Sequence, residues 1–217
     1  MSWSLNEIEA LARKAARGGG MDWGLAEETG KATRWLCAAG WPGAETLAAL
    51  LLAQDSVTWD AVRPRTDADP WAARDGLLCP SAAGAALTDR ARDLACGRTI
   101  IMAATARPLL LVPYTAWAAD LAGRPLSIRW PGVTVTCGGD GVFADITDPA
   151  ALTATRTETL EIGPAEHATG QPLPRAHRGD LPAGAVETLT AFAHRTYAPG
   201  TPESRASGAG AGLTDND

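Results

Sequence analysis

The sequence predicts an α+β protein. It reads as an N-terminal helical head of three helices packed on a mostly antiparallel β-sheet, followed by a C-terminal helix and a Gly-rich tail. Three observations carry this. Residues 1–53 space their apolar side chains at helical intervals between glycine breaks. Residues 127–146 hold three strand-like runs joined by Pro-Gly and Gly-rich turns, a pattern that favours antiparallel pairing over a repeating βαβ fold. Residues 185–197 return to helical spacing. The expected organisation is a head over 1–53, an Asp/Pro-rich connector over 54–76, an α+β core over 77–198 and a Gly-rich acidic tail over 199–217, within one structural domain overall.

Ser4-Leu-Asn-Glu7 spells a capping box, in which the Ser hydroxyl and the Glu carboxylate each accept from a free N–H at the helix start. Leu5, Ile8, Leu11, Ala12 and Ala15 continue that helix, Arg13, Lys14 and Arg17 suit its negative end, and Gly18 to Gly20 stop it. Asp22 caps a second helix whose inner face is Leu25, Ala26, Thr29, Ala32, Leu36 and Ala39. Gly30 in its middle signals close packing or the close approach of a ligand. Pro42 fits the first turn of a third helix with Leu47, Leu50 and Leu51 inside.

The connector shows no period, and Trp59 and Trp71 are expected to dock it. Its five aspartates suit turns and caps better than a hard-cation site. Next come a helical turn or two over 89–95, strands over 98–104 and 109–112, and a short helix over 114–122. The strands over 127–130 and 133–137 turn at Pro131-Gly132, that over 142–146 follows a Gly-rich turn, and one more alternates over 153–162. Residues 163–181 read as loop.

Net charge is −6, which argues against duplex nucleic acid as a partner. The longest apolar run, 47–53, is too short to span a membrane, and Glu7 and Glu9 stand where a signal peptide needs basic residues. The four cysteines have no C-x-x-C spacing, so reduced thiols in a cytoplasmic protein are expected and no zinc site is.

Several motifs lose to simpler readings. Gly24 to Lys31 nearly spells a phosphate loop, but it has five residues between its glycines, Ala32 after the lysine, and two carboxylates that would repel phosphate. Gly139 to Ala144 matches a dinucleotide fingerprint without opening a helix, so a β-hairpin is expected there. His167, His177 and Asp180 lack metal-ligand spacing and read as surface residues. No metal ligand is assigned, and no cofactor is identified.

The densest chemistry lies in the second helix. Glu27 and Glu28 are candidate acid/base residues, and Lys31 and Arg34 are candidate clamps for an anionic substrate. Trp23 and Gly24 join them as binding residues, with Trp23 and Trp35 able to wall a pocket and dehydrate a carboxylate.

Ser4-Leu-Asn-Glu-Ile-Glu-Ala-Leu, Arg13-Lys-Ala-Ala-Arg-Gly, Trp23-Gly-Leu-Ala-Glu-Glu and Gly30-Lys-Ala-Thr-Arg-Trp-Leu resemble the start of an uncharacterised proteobacterial family, domain of unknown function 3726. Ser204-Arg and Gly208-Ala-Gly-Ala-Gly-Leu-Thr-Asp-Asn-Asp resemble its ending, so the likeness covers nearly the whole length. The resemblance implies a cytosolic bacterial protein of unassigned activity and carries over no catalytic residue. It also gives the tail a role. Arg205, Asp215 and Asp217 are expected to close over the 18–36 region as further binding residues.

Two functions follow as expectations. One is a cytosolic bacterial enzyme of small-molecule metabolism, hydrolase- or lyase-like, with its site between head and tail. The other is a non-catalytic accessory subunit that docks on a partner enzyme. A ligand-sensing regulator is the weaker third.

Overall fold

The structure is a computed structural model that describes residues 2–139, 141–167 and 170–197. The expectations for the tail, including those for Arg205, Asp215 and Asp217, lie outside the described residues.

Strand β1 (Ser2–Ser4) leads into helix α1 (Leu5–Gly18). The capping box forms as the sequence spells it: Glu7 N–H donates to Ser4 Oγ at 3.3 Å, and Ser4 N–H donates to Glu7 Oε2 at 2.8 Å. Asp22 Oδ1 accepts from Leu25 N–H at 2.9 Å and starts α2 (Trp23–Ala38). Helix α3 (Gly43–Ala53) completes the head.

The connector is more ordered than its lack of period suggests. It holds a helical turn α4 (Trp59–Val62) and a small hairpin of β2 (Pro64–Arg65) and β3 (Ala72–Ala73). Both tryptophans dock. Trp71 is buried, and Trp59 Nε1 donates to the Gly20 carbonyl at 2.7 Å.

Helices α5 (Pro80–Asp89) and α6 (Ala91–Ala95) precede strands β4 (Ile100–Met102) and β5 (Thr105–Ala106). Helix α7 (Val112–Ala122) ends at Gly123, whose φ is +65°. Strands β6 (Leu126–Trp130), β7 (Val133–Gly138) and β8 (Gly141–Ile146) form a meander. They turn at Pro131-Gly132 and at the Gly-rich turn after Gly138, which pairs with Gly141. The near-fingerprint at Gly139 is therefore part of a hairpin.

The last elements are β9 (Arg156–Thr157), β10 (Leu160–Pro164), β11 (Gln171–Pro172), β12 (Arg178–Asp180) and α8 (Ala183–His194). The main sheet runs β11-β8-β7-β6-β10-β4, with every neighbouring pair antiparallel. The fold is α+β. Helix α7 lies on β6 and β7, and α5 and α6 lie on α7. The head packs against α8, α5 and α7, so helices stand between most of the head and the main sheet. One cluster of buried side chains runs from Ile8 to Phe192. Among the described residues, no helix is long and apolar enough to cross a membrane.

Three sequence expectations change. Residues 109–112 do not form a strand: Pro108–Leu111 is a 3-10 turn that runs into α7. All four of Leu109 to Val112 are buried, so no alternation marks their period, and Pro108 and Pro113 instead occupy first-turn positions where a missing N–H costs nothing. Residues 153–162 are not one strand, because a 3-10 turn over Pro149–Thr153 precedes the short β9 and β10. Residues 163–181 are not all loop, since β11 extends the main sheet and β12 pairs with β1. Ser2–Ser4 is a strand in its own right. Arg178 fastens it, donating from Nε to Ser2 Oγ and from its guanidinium to the Ser2 carbonyl, each at 2.9 Å.

Two glycines set how closely the helices approach. A Cβ on Gly30 would stand 3.0 Å from both Arg13 Cβ and the Glu9 carbonyl oxygen, so its mid-helix cost is offset by tight α1–α2 packing. A Cβ on Gly18 would stand 1.7 Å from the Phe192 carbonyl oxygen of α8, a distance no side chain tolerates. Gly18→Ala must push α1 and α8 apart. It is expected to cost about 1–3 kcal/mol or more, which urea unfolding of variant and parent would measure.

Candidate functional site

Among the described residues, three clefts take side chains from helix α2. The largest, about 840 Å³, takes Gly24, Leu25 and Glu28 from α2. Its other walls are the turn at Gly20, the connector at Trp59 to Thr66, and the α5 segment from Ala82 to Asp89. The second, about 670 Å³, takes Trp23 and Glu27 from α2, with α1 and the end of α8 opposite. The third, about 430 Å³, takes Lys31, Arg34 and Trp35, facing Trp117, Arg175 and His177. Successive residues on a helix turn by about 100°, which is why three faces of one helix reach three different spaces.

The sequence-predicted site residues are therefore divided. Glu28 and Gly24 share the first cleft, Trp23 and Glu27 the second, and Lys31 and Arg34 the third. Trp35 walls the third, with the Arg175 guanidinium 5.5 Å from its ring centre. Arg34 is committed to Glu9, with its guanidinium 2.9 Å from the carboxylate.

Glu28 is a carboxylate whose surroundings favour its protonated form. It is half-buried, and desolvation raises its pKa above the ordinary 4.5; the Asp89 charge adds to this, Lys31 opposes it, and Asp22 adds a little more. Asp22, Asp60 and Asp89 line the same cleft, as do the guanidinium-bearing Arg17 and Arg63. The Trp59 bond to Gly20 fixes one wall. Arg17 donates to the Met21 carbonyl, which holds its stem along the α1–α2 turn. Arg63 pairs with Asp60 at 3.1 Å. A carboxyl that holds its proton more tightly than an ordinary glutamate, beside a guanidinium and an indole wall, can protonate a leaving group or accept a proton from a bound molecule.

The sequence did not mark Trp59, Arg63 and Asp89 as neighbours of Glu28, because they come from the connector and from α5. A signal was present for the second cleft. Arg13, Lys14 and Arg17 crowd one arc of α1, and the acidic residue at helical spacing from them, Glu9 four before Arg13, pairs with Arg34 instead. Among the described residues, no set of three or more His, Cys, Asp or Glu converges as a metal-ligand group. His167 and Asp180 do not line the cleft that His177 lines.

Residues 3–75 match the model of a family described as "Protein of unknown function (DUF3726)", the family that the motifs of this segment resemble. The match takes in α1 to α3 and the connector, and so every wall of the first cleft except the α5 segment. No curated protein and no solved structure matches the chain.

The raised pKa of Glu28 has a defined consequence for stability. The folded protein holds the proton more tightly than the unfolded chain does. Stability contributed by the protonated carboxyl is complete below 4.5 and is lost as pH rises through the raised value. Glu28→Gln removes this loss. Its melting temperature is expected to gain on the parent's as pH rises from about 4 to about 8, which paired thermal melts would show.

Proposed function

We propose that the protein is a cytosolic bacterial enzyme of small-molecule metabolism, hydrolase- or lyase-like, with Glu28 as its acid/base residue. The observation that carries this is a half-buried carboxyl with a raised pKa on the wall of a cleft of about 840 Å³. Such a volume suits a metabolite-sized ligand, and the charged side chains set among the apolar walls suit its orientation. Arg17 and Arg63 would hold an anionic part of the substrate, and Trp59 would cover an apolar part. Glu28 would give a proton to the departing group or take one from the reacting carbon.

Glu27, Lys31 and Arg34 then act from outside this cleft, on neighbouring faces of α2. The tail residues Arg205, Asp215 and Asp217 complete the site in this reading, a part of the proposal that lies outside the described residues.

A second reading is a non-catalytic accessory subunit. The exposed Leu52 of α3 and Val57 in the connector after it favour it, since apolar side chains facing solvent suit a partner surface. Co-elution of the native protein with a larger enzyme would support docking.

A thermal-shift screen of metabolites comes first, because a ligand at 100 times its Kd stabilises the native state by about 2.7 kcal/mol. With the responding compound as substrate, Glu28→Gln is expected to abolish turnover with the fold intact, while Glu27→Gln retains it. Full turnover by Glu28→Gln would remove the assigned role.

A further inference from the structure

We infer that the second cleft, between the C-terminal half of α1, the start of α2 and the end of α8, binds a small organic anion that carries a flat ring. This site shares Arg17 and Gly20 with the first cleft but does not rest on catalysis at Glu28.

The charge in the cleft is one-sided. Arg13, Lys14, Arg17 and Arg195 line it, with Glu27 as the acidic side chain. Arg195 is already neutralised by a two-pronged pair with Asp55, at 2.7 and 3.0 Å. Among the described residues, Arg13, Lys14 and Arg17 make no ion pair with a carboxylate. Positions 13, 14 and 17 fall within an arc of about 100° on a helix, so the three cations share one face and repel one another. An anion bound across them would relieve that repulsion and accept charge-assisted hydrogen bonds from more than one of them.

The aromatic walls give the second half of the specificity. Trp23 is 69% exposed and Tyr197 56% exposed, both at this cleft. The Arg17 guanidinium stands 4.8 Å from the Trp23 ring centre, and the Lys14 ammonium 5.9 Å from that of Tyr197. Each cation is thus held beside an aromatic face, with anion-binding and ring-stacking groups side by side. A volume of about 670 Å³ suits a metabolite. A polyanion is disfavoured, because the chain's net charge of −6 repels an extended phosphate backbone.

The shared chemistry is a ring-bearing carboxylate or phosphate. Isothermal titration of the full chain with phenyl phosphate, benzoate and inorganic phosphate separates the possibilities. Saturable binding is expected for at least one ring-bearing probe, stronger than for inorganic phosphate. A preference for benzoate assigns a carboxylate ligand, and a preference for phenyl phosphate assigns a phosphate ester.

The double variant Arg13→Gln, Lys14→Gln is expected to weaken that binding about tenfold or more. Trp23→Ala, at an exposed position, should bring the ring-bearing probe down to the affinity of inorganic phosphate. Arg13, Lys14 and Trp23 do not line the first cleft, so weakening by these variants keeps this site distinct from it. Three results would overturn the inference: no saturable binding of either ring-bearing probe, undiminished binding by the double variant, or equal affinity of parent and Trp23→Ala for the ring-bearing probe.

Discussion

The contact between Gly18 and the Phe192 carbonyl fixes the geometry on which the rest of the head depends. Two helix backbones can meet this closely only where a side chain is missing, and the position lies at the last residue of α1. Gly30 does the same between α1 and α2. Together they clamp α2 beneath α1 and set the turn between them. That turn carries Gly20, to which Trp59 bonds, and it follows Arg17, which lines both larger clefts. Main-chain proximity in the head thus becomes the placement of charged side chains at two separate spaces.

Helix α2 serves two masters. Ala26, Thr29, Ala32, Thr33 and Leu36 are buried and hold it in the core. Most of its remaining positions are divided among three clefts. A residue on such a helix cannot move without disturbing packing, so its solvent-facing groups are presented by a rigid element rather than a loop. Rigid presentation is what a binding or acid/base group needs to keep its geometry.

Much of this was legible locally. The capping box at Ser4 and Glu7, the Asp22 cap and the glycine-turned hairpins are short-range devices, and their residues state the outcome. Helix α2 also stood out as the densest run of side chains able to do chemistry. What could not be read is long-range. β1 pairs with β12 across 176 residues of sequence, and no local pattern encodes such a partner. The run Leu109 to Val112 is buried on all sides, so a helix and a strand look alike there. Glu27 and Glu28 are neighbours in sequence, yet they face different spaces, because what stands opposite each comes from the connector, α5 or α8.

The cysteines divide sharply by environment. Cys37, Cys79 and Cys137 are buried, whereas Cys96 is exposed. Burial pushes Cys37 up to about 11 and Cys137 up to about 12, and it raises Cys79 as well, so in the folded chain these three hold their protons at neutral pH. A thiol-selective dye therefore meets one reactive position in the native molecule and four in the unwound chain. The number of labels per molecule becomes a direct gauge of how much of the interior has opened, and Cys96 offers a single anchor for a fluorophore that leaves the packed interior untouched.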